Sequence, residues 1–431
     1  VGEGANKGLI PMAKQTEWKT ETYGGVLNFL ATAYIPAVHA AILTQAGLPF
    51  EGALVGAILT SIIGTLIAGF FNLPLLLLPG MGINALFTYT LVLQMGLSWQ
   101  SALAVSFVSG VLVVLLTVTK VARKLANAFP PIIHDGLTVG LGLFLILIGL
   151  EAAGIVSGGG GALLHIGDLG ERDVQVAFLS LFVAILLFLK MGPSSFLWTI
   201  GFGVGLSAVM GTLDWTGSFA LTPFFESFGT VFGNISFAES TSPLFFVAVG
   251  VLTLVLLIEN ISLIQNQTRA IGKKEEAPKG LVAQGLSTMA GAMFGSSPTV
   301  STVEVAAGIS VGARGGIASF VTSGLYVVSL LLLPLFAIIP VTAIAPVLII
   351  IGMMMFQNVK HLPLDNWEHA FPAILVIIMI PFTYSIVDGI GLGFIAYTMI
   401  VLFKKGYRSL SPVVGVLTVL FLVFFSLPVW L

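Results

Sequence analysis

The sequence predicts an all-α polytopic membrane protein of about fourteen transmembrane segments, arranged as a 7+7 inverted repeat. Three observations predict it. The 431 residues are 57% hydrophobic and only 8% charged, with a mean hydropathy of +1.07, whereas soluble domains carry roughly 25% charged residues. Apolar runs recur at the length of about 20 residues that crosses a bilayer as a helix. Two runs, third in each set of seven, are broken by proline or glycine and turn polar at matching places, as two inverted halves would require.

Composition also excludes several classes. With 19 acidic and 17 basic residues the chain has no charge excess suited to a nucleic-acid partner. Cysteine is absent, which removes disulfides, thiolate metal sites and cysteine nucleophiles. No HExxH pair or other His–carboxylate spacing offers a metal site. Gly158–Gly161 lacks the Lys-Ser/Thr that a phosphate-binding loop needs, and no nucleophile motif is present, so an enzyme is not expected. Val1–Lys19 is polar, with no apolar core before a cleavage site. No signal peptide is expected, and the first apolar run reads as a mature helix.

In order, spans 1 to 7 fall near 24–44, 52–72, 80–95, 101–119, 136–154, 174–190 and 194–211. Spans 8 to 14 fall near 244–268, 281–295, 303–312, 316–336, 341–357, 369–385 and 388–404. Spans 3 and 10 are too short to cross as full helices, so each is expected as a short strand followed by a half-helix. The link Thr212–Ser242 holds Asp214, Glu226 and Glu239 and no basic residue. It belongs outside, with Phe224, Phe225 and Phe228 suited to an interfacial helix. Arg269–Lys279 reads as a solvated inner hinge. Residues 412–431 fit either an extra span or a helix packed on the bundle. With the N-terminus inside, every Lys and Arg except Arg172 falls on the inner side, as the positive-inside rule requires. Seven spans per half is an odd number, so the second half starts on the opposite side and the halves are inverted.

Two carboxylates lie within spans rather than in loops. A charge at the bilayer centre costs at least about 2.5–3.5 kcal/mol, so each needs a partner, a proton or a ligand. Glu259 lies two-thirds along span 8 and shares one face with Ser262 and Asn266. That stripe fits a substrate or proton site, or polar glue between helices. Glu304 opens the half-helix of span 10, where free backbone N–H groups and the positive dipole end can also meet a ligand. Its spacing from Ser301 fits a capping box as well. In span 3, Gly80 and Gly82 allow close backbone approach, Asn84 and Thr88 share a face, and Phe87 fits either core packing or stacking on a flat ligand. Span 1 carries Asn28, Thr32, Tyr34 and His39. His39 reads more readily as a packing residue than as a ligand.

These residues carry a resemblance. Ala33-Tyr34-Ile35, Leu78–Tyr89, Gly149–Val156, Ile166–Leu169, Glu304–Gly308 with Gly312-Ala313-Arg314, and Pro381–Gly391 are similar to the nucleobase–cation symporter superfamily of the uracil-permease fold. The adenine/guanine/hypoxanthine permease branch is the most similar, on the span 3 motif and on Thr383-Tyr384-Ser385-Ile386-Val387-Asp388-Gly389-Ile390-Gly391. The resemblance implies a core domain (20–120 and 244–337) and a gate domain (130–212 and 338–410). Between and after them lie an outer link (213–243) and a C-terminal segment (411–431). It implies a base bound between the crossed strands of spans 3 and 10 by Glu259, Glu304, Thr302, Val303, Asn84, Ala85, Phe87 and Thr32. Glu259 and Glu304 would couple it to a cation, usually a proton, with sodium the alternative. No other cofactor is implied, and a pair of copies would meet through the gate domain.

The chain departs from the purine branch at Glu259-Asn260-Ile261-Ser262, where that branch usually has Phe-Asp-Thr. The glutamate there resembles the uracil/xanthine branch. The expectation is a secondary active importer of a nucleobase, with a purine (hypoxanthine, guanine or adenine) favoured. It would work by proton symport and alternating access in the plasma or inner membrane, with the N-terminus cytoplasmic. A buried carboxyl is suited to carrying that proton. A uracil/xanthine symporter is one alternative. The other is a sulfate-permease-type anion transporter on the same fold, which would want a basic residue where Glu304 stands.

Overall fold

The computed structural model describes residues 9–159, 162–213 and 220–430. Lys7, Gly160, Gly161 and Asp214 lie outside the described residues. Among the described residues, nine helices are long and apolar enough to cross a membrane. One of them, Arg172–Met210, holds both spans 6 and 7, joined by a tight turn at Gly192–Ser195. Gly192 takes φ +63° there, a conformation open to glycine. Spans 9 and 13 are 17-residue helices, Ala277–Met293 and Trp367–Thr383. Spans 3 and 10 are interrupted, as the sequence predicts. The described residues also hold four short strands: β1 (Leu77–Pro79), β2 (Val156–Gly159), β3 (Ala162–Ile166) and β4 (Thr299–Ser301).

Strands β1 and β4 cross at the middle of the bundle as an antiparallel pair, with Leu77 opposite Ser301, Leu78 opposite Val300 and Pro79 opposite Thr299. A short span 3 helix follows β1, Met81–Ala85, running on as a π-helix over Leu86–Gln94. A turn at Val303–Val305 and a helix over Ala306–Ser310 follow β4. Extended backbone at this depth has no water to bond, so the protein must satisfy it. Polar side chains of neighbouring spans do so. Asn260 Oδ1 accepts from Ser301 N at 2.8 Å, and Gln267 Nε2 donates to Thr302 O at 2.8 Å. Gln284 Nε2 donates to Thr299 O at 2.7 Å, and Ser319 Oγ donates to the carbonyls of Leu73 and Leu75.

The same principle explains a break in span 1, which runs as Leu9–Thr32 and Ile35–Thr44. Pro36 has no N–H for the carbonyl four residues back. That freed Thr32 carbonyl accepts instead from the Tyr326 hydroxyl at 3.0 Å. Span 11 begins at Gly316 under a cap built by span 1. The Glu21 carboxylate accepts from the backbone N–H groups of Arg314, Gly315 and Ala318, where a helix N-terminus favours negative charge.

Helix packing falls into two groups. Span 2 (Phe50–Phe70) packs on spans 9 and 11, and span 4 (Trp99–Val118) packs on spans 8 and 9. Span 5 (Pro131–Ala152) packs on spans 12 and 13, span 12 on span 6, and span 13 on span 14 (Ile386–Lys405). Span 2 approaches span 11 so closely that a Cβ on Gly316 would stand 2.1 Å from the Gly69 carbonyl oxygen. Backbone cannot yield there, so Gly316→Val is expected to destabilise the protein by about 2–3 kcal/mol. The thermal unfolding midpoint of the detergent-purified variant should fall clearly, and an unchanged midpoint would refute the close contact.

Two elements go beyond the sequence expectations. After span 5, Gly158 and Gly159 lie in β2, which pairs antiparallel with β3. A short helix, Val121–Ala128, joins spans 4 and 5. Within the link before span 8 a helix does form, Thr222–Val231, and it packs on span 2. The C-terminal segment is a helix, Pro412–Trp430, lying along span 14. Thr398 and Thr418 share a hydrogen bond of 2.6 Å, and Phe394 stacks on Phe421.

Candidate functional site

Glu304 stands in the turn that follows β4, at the start of the broken span 10. Its Oε1 accepts from the Tyr34 hydroxyl at 2.9 Å, and its carboxyl also meets its own backbone N–H. Tyr34 sits at the break in span 1 and is buried. Its ring packs edge-on against Phe196 at the start of span 7, with centroids 5.0 Å apart. Glu304 is therefore placed by span 1 at the seam between the two packing groups. The Ser301–Glu304 capping box does not form, because the Ser301 hydroxyl donates to Gln267 Oε1 at 2.6 Å. Val303, beside Glu304, is 51% exposed and faces open space.

Glu259 reaches the same seam from span 8. A Cβ on Gly82 would stand 3.5 Å from Glu259 Oε1 and 3.1 Å from a Leu141 methyl on span 5. The glycine thus lets the span 3 half-helix pass between the carboxyl and span 5. Glu259 and Ser262 are half-buried and Asn266 is exposed, so the predicted stripe opens towards the end of span 8.

The other predicted residues divide. Thr302 follows β4, is buried, and has its carbonyl fixed by Gln267. Asn84 is turned into the protein. Its Oδ1 accepts from Ser297 Oγ and lies 3.0 Å from His39 Nδ1. His39 Nε2 in turn meets Ser296 Oγ at 3.3 Å. His39 thus ties span 3 to the chain leading into β4, a packing role. Ala85 and Phe87 are fully buried in the core. Thr32 is buried too, its hydroxyl donating to Asn28 O and accepting from Tyr326. Glu259 and Glu304 are both half-buried, and exposed Val303 stands beside Glu304. Asn84, Phe87 and Thr32 lie behind them.

Sequence reading assigned no part to Asn260, Gln267 or Gln284, and passed over Tyr34 as a site residue. Asn260 and Gln267 lie seven apart on span 8, about two turns. That periodicity was the available signal, since such a pair can grip one strand. Removing the Gln267 amide would leave a buried carbonyl and hydroxyl unpaired, at about 1–3 kcal/mol for each group. Gln267→Ala is expected to lower the unfolding midpoint and raise the KM for transport several-fold. Gln267→Glu should restore the contact to Ser301 but not that to Thr302. Full activity and stability in Gln267→Ala would remove it from the site's support.

A membrane bundle with two broken segments crossing at its centre, and carboxyls at the seam, is built to pass a small molecule from one side to the other. The protein is a membrane permease, not an enzyme. It belongs to the permease family designated Xan_ur_permease, which it matches over residues 19–392. It is 37% identical over 396 residues to nucleobase transporter PlAzg2 of Paenibacillus larvae, covering 91% of this chain and 78% of that one. It is 31% identical to guanine/hypoxanthine permease PbuO of Bacillus subtilis, covering 95% and 98%. Among solved structures it resembles the transmembrane domain of the cyanobacterial bicarbonate transporter BicA, with a TM-score of 0.63 at 15% identity over 85% of this chain and 96% of that one. It also resembles SLC26A9, with a TM-score of 0.68 at 12% identity over 91% and 67%. At such identities the likeness shows the fold alone.

Proposed function

We propose that the protein imports a nucleobase, a purine, by proton symport with alternating access. The observation that carries this reading is the placement of Glu259 and Glu304 at one seam, each against a broken segment. A neutral purine presents N–H donors on a flat ring, and two carboxyls can accept from them. Free N–H groups at the start of the broken span 10 can donate to a ring nitrogen or carbonyl oxygen. Similarity to a nucleobase transporter and a guanine/hypoxanthine permease supports the substrate class. Arg314, the basic residue nearest the broken span 10 in sequence, is occupied away from the site. Its guanidinium donates to Ala270 O at 3.0 Å, which disfavours an anion carrier.

The two packing groups support a division into a core (20–120 and 244–337) and a gate (130–212 and 338–410) that would rock against each other. Glu259 and Glu304 would carry the proton between the two access states. The distribution of Lys and Arg supports a cytoplasmic N-terminus, and two copies would pair through the gate. Gradient-driven hypoxanthine uptake by proteoliposomes tests the coupling. An inward pH gradient should drive uptake, and a sodium gradient alone should not. The reverse would replace the proton with sodium.

One end of the seam is latched. Gln94 Nε2 donates to Asp388 Oδ2 at 2.8 Å, and Ile386 N donates to Thr90 Oγ1 at 3.1 Å. Tyr89 and Phe144 pack edge-on to Tyr384, whose hydroxyl donates to Glu151. These contacts tie the end of span 3 to spans 5, 13 and 14. With the N-terminus inside, this is the outer end. The lack of native cysteine makes Val303→Cys a clean reporter of access. Adding Asp388→Ala is expected to raise its labelling by an impermeant thiol reagent from outside several-fold. Unchanged labelling would show that these contacts do not seal the outer end.

A further inference from the structure

A groove of about 760 Å³ lies between the ends of spans 4, 8 and 9, on the side of the molecule away from the carboxyls. Ile261 and Gln265 line it, and Ile261 is about 200° around span 8 from Glu259. The walls include Phe71, Ile261 and Val282, while Lys120, Lys274 and Lys279 stand around them. Glu275 is the one carboxylate in the lining, and Lys279 is paired with Glu276 at 2.6 Å. Lys120 and Lys274 form no ion pair among the described residues.

Lys120 is held at φ +61°, in the left-handed region that few non-glycine residues adopt. Ala277 and Pro278, which begin span 9, also line the groove. They bring the positive end of that helix to it. The groove therefore pairs an apolar wall with unpaired cationic groups at the end of the membrane helices.

We propose that this groove binds an anionic phospholipid of the surrounding leaflet. Its acyl chain would lie against Phe71, Ile261 and Val282, and its phosphate would rest with Lys120 and Lys274. A free anion would use the lysines but not the apolar wall, and a neutral lipid would use the wall but not the lysines. The basic loops place this end of the fold at the cytoplasmic face, where the leaflet is anionic.

The test is lipid retention by the purified full chain, which does not depend on what the protein transports. Native mass spectrometry would follow dioleoyl-phosphatidylglycerol, dioleoyl-phosphatidylcholine and inorganic phosphate on the wild type, Lys120→Gln/Lys274→Gln and Val282→Trp. Phosphatidylglycerol should be retained several-fold over phosphatidylcholine, and loss of both lysines should weaken it by about 30-fold. Val282→Trp, which fills the wall and keeps the lysines, should weaken it as well. A monodisperse elution profile would show that each variant is folded. Equal retention of the two lipids, or retention unchanged in the folded variants, would overturn the proposal. Binding of phosphate that displaces the lipid and survives Val282→Trp would reassign the groove to a soluble anion.

Discussion

Glu304→Gln is expected to reduce the initial rate of labelled hypoxanthine uptake to about 1% of wild type, because disrupting one member of a buried, charge-assisted hydrogen-bonded pair costs about 2–5 kcal/mol. The carboxyl offers acceptors on both oxygens. Tyr34 and the residue's own backbone N–H engage it, and the lone pairs that remain can accept from a ligand N–H. An amide of the same size turns one of those acceptors into a donor, and a donor facing a base N–H is repulsive. Tyr34→Phe separates the two halves of this effect. It removes the phenol but leaves both carboxyl oxygens, so it should lower uptake by about tenfold. Normal surface expression with wild-type uptake in Glu304→Gln would take the residue out of the site.

Glu259→Gln is expected to fail differently. The side chain keeps its length beside Gly82 but can no longer take up and release a proton. Accumulation should fall to the level of wild-type cells treated with a protonophore, and the protonophore should have no further effect. Exchange of labelled for unlabelled base across proteoliposomes, which needs no net proton movement, should persist with a raised KM. If gradient-driven accumulation survives in Glu259→Gln, the proton moves through another group.

The broken segments were readable because they violate what a membrane helix needs. Pro79-Gly80 and Ser296–Thr302 are too polar or too irregular to cross as plain helices, and β1 (Leu77–Pro79) and β4 (Thr299–Ser301) pair where they fall. Glu259 and Glu304 were readable because a carboxyl at that depth must be explained. The orientation of Asn84 and Phe87 was not readable. They belong to a five-residue helix running straight into a π-helix, which is too short and irregular for periodicity to fix its faces. Nor were the partners of Asn260 and Gln267, which lie 41 and 35 residues away along the chain. Periodicity shows which residues share a face, but not what that face meets. The β2–β3 hairpin was hidden because two strands of four and five residues around glycines carry no alternation long enough to separate them from a loop.

The central claim is that one site with two carboxyls takes a nucleobase. The most direct measurement is hypoxanthine uptake into permease-deficient cells with unlabelled adenine, guanine, xanthine, uracil and sulfate as competitors. Wild type would be run beside Glu259→Gln and Glu304→Gln. Saturable uptake that purines compete, that sulfate leaves untouched, that Glu304→Gln reduces to about 1% and that Glu259→Gln lowers to the level of protonophore-treated wild type is the predicted result. No saturable uptake of any base, or competition by sulfate with both variants fully active, would contradict it.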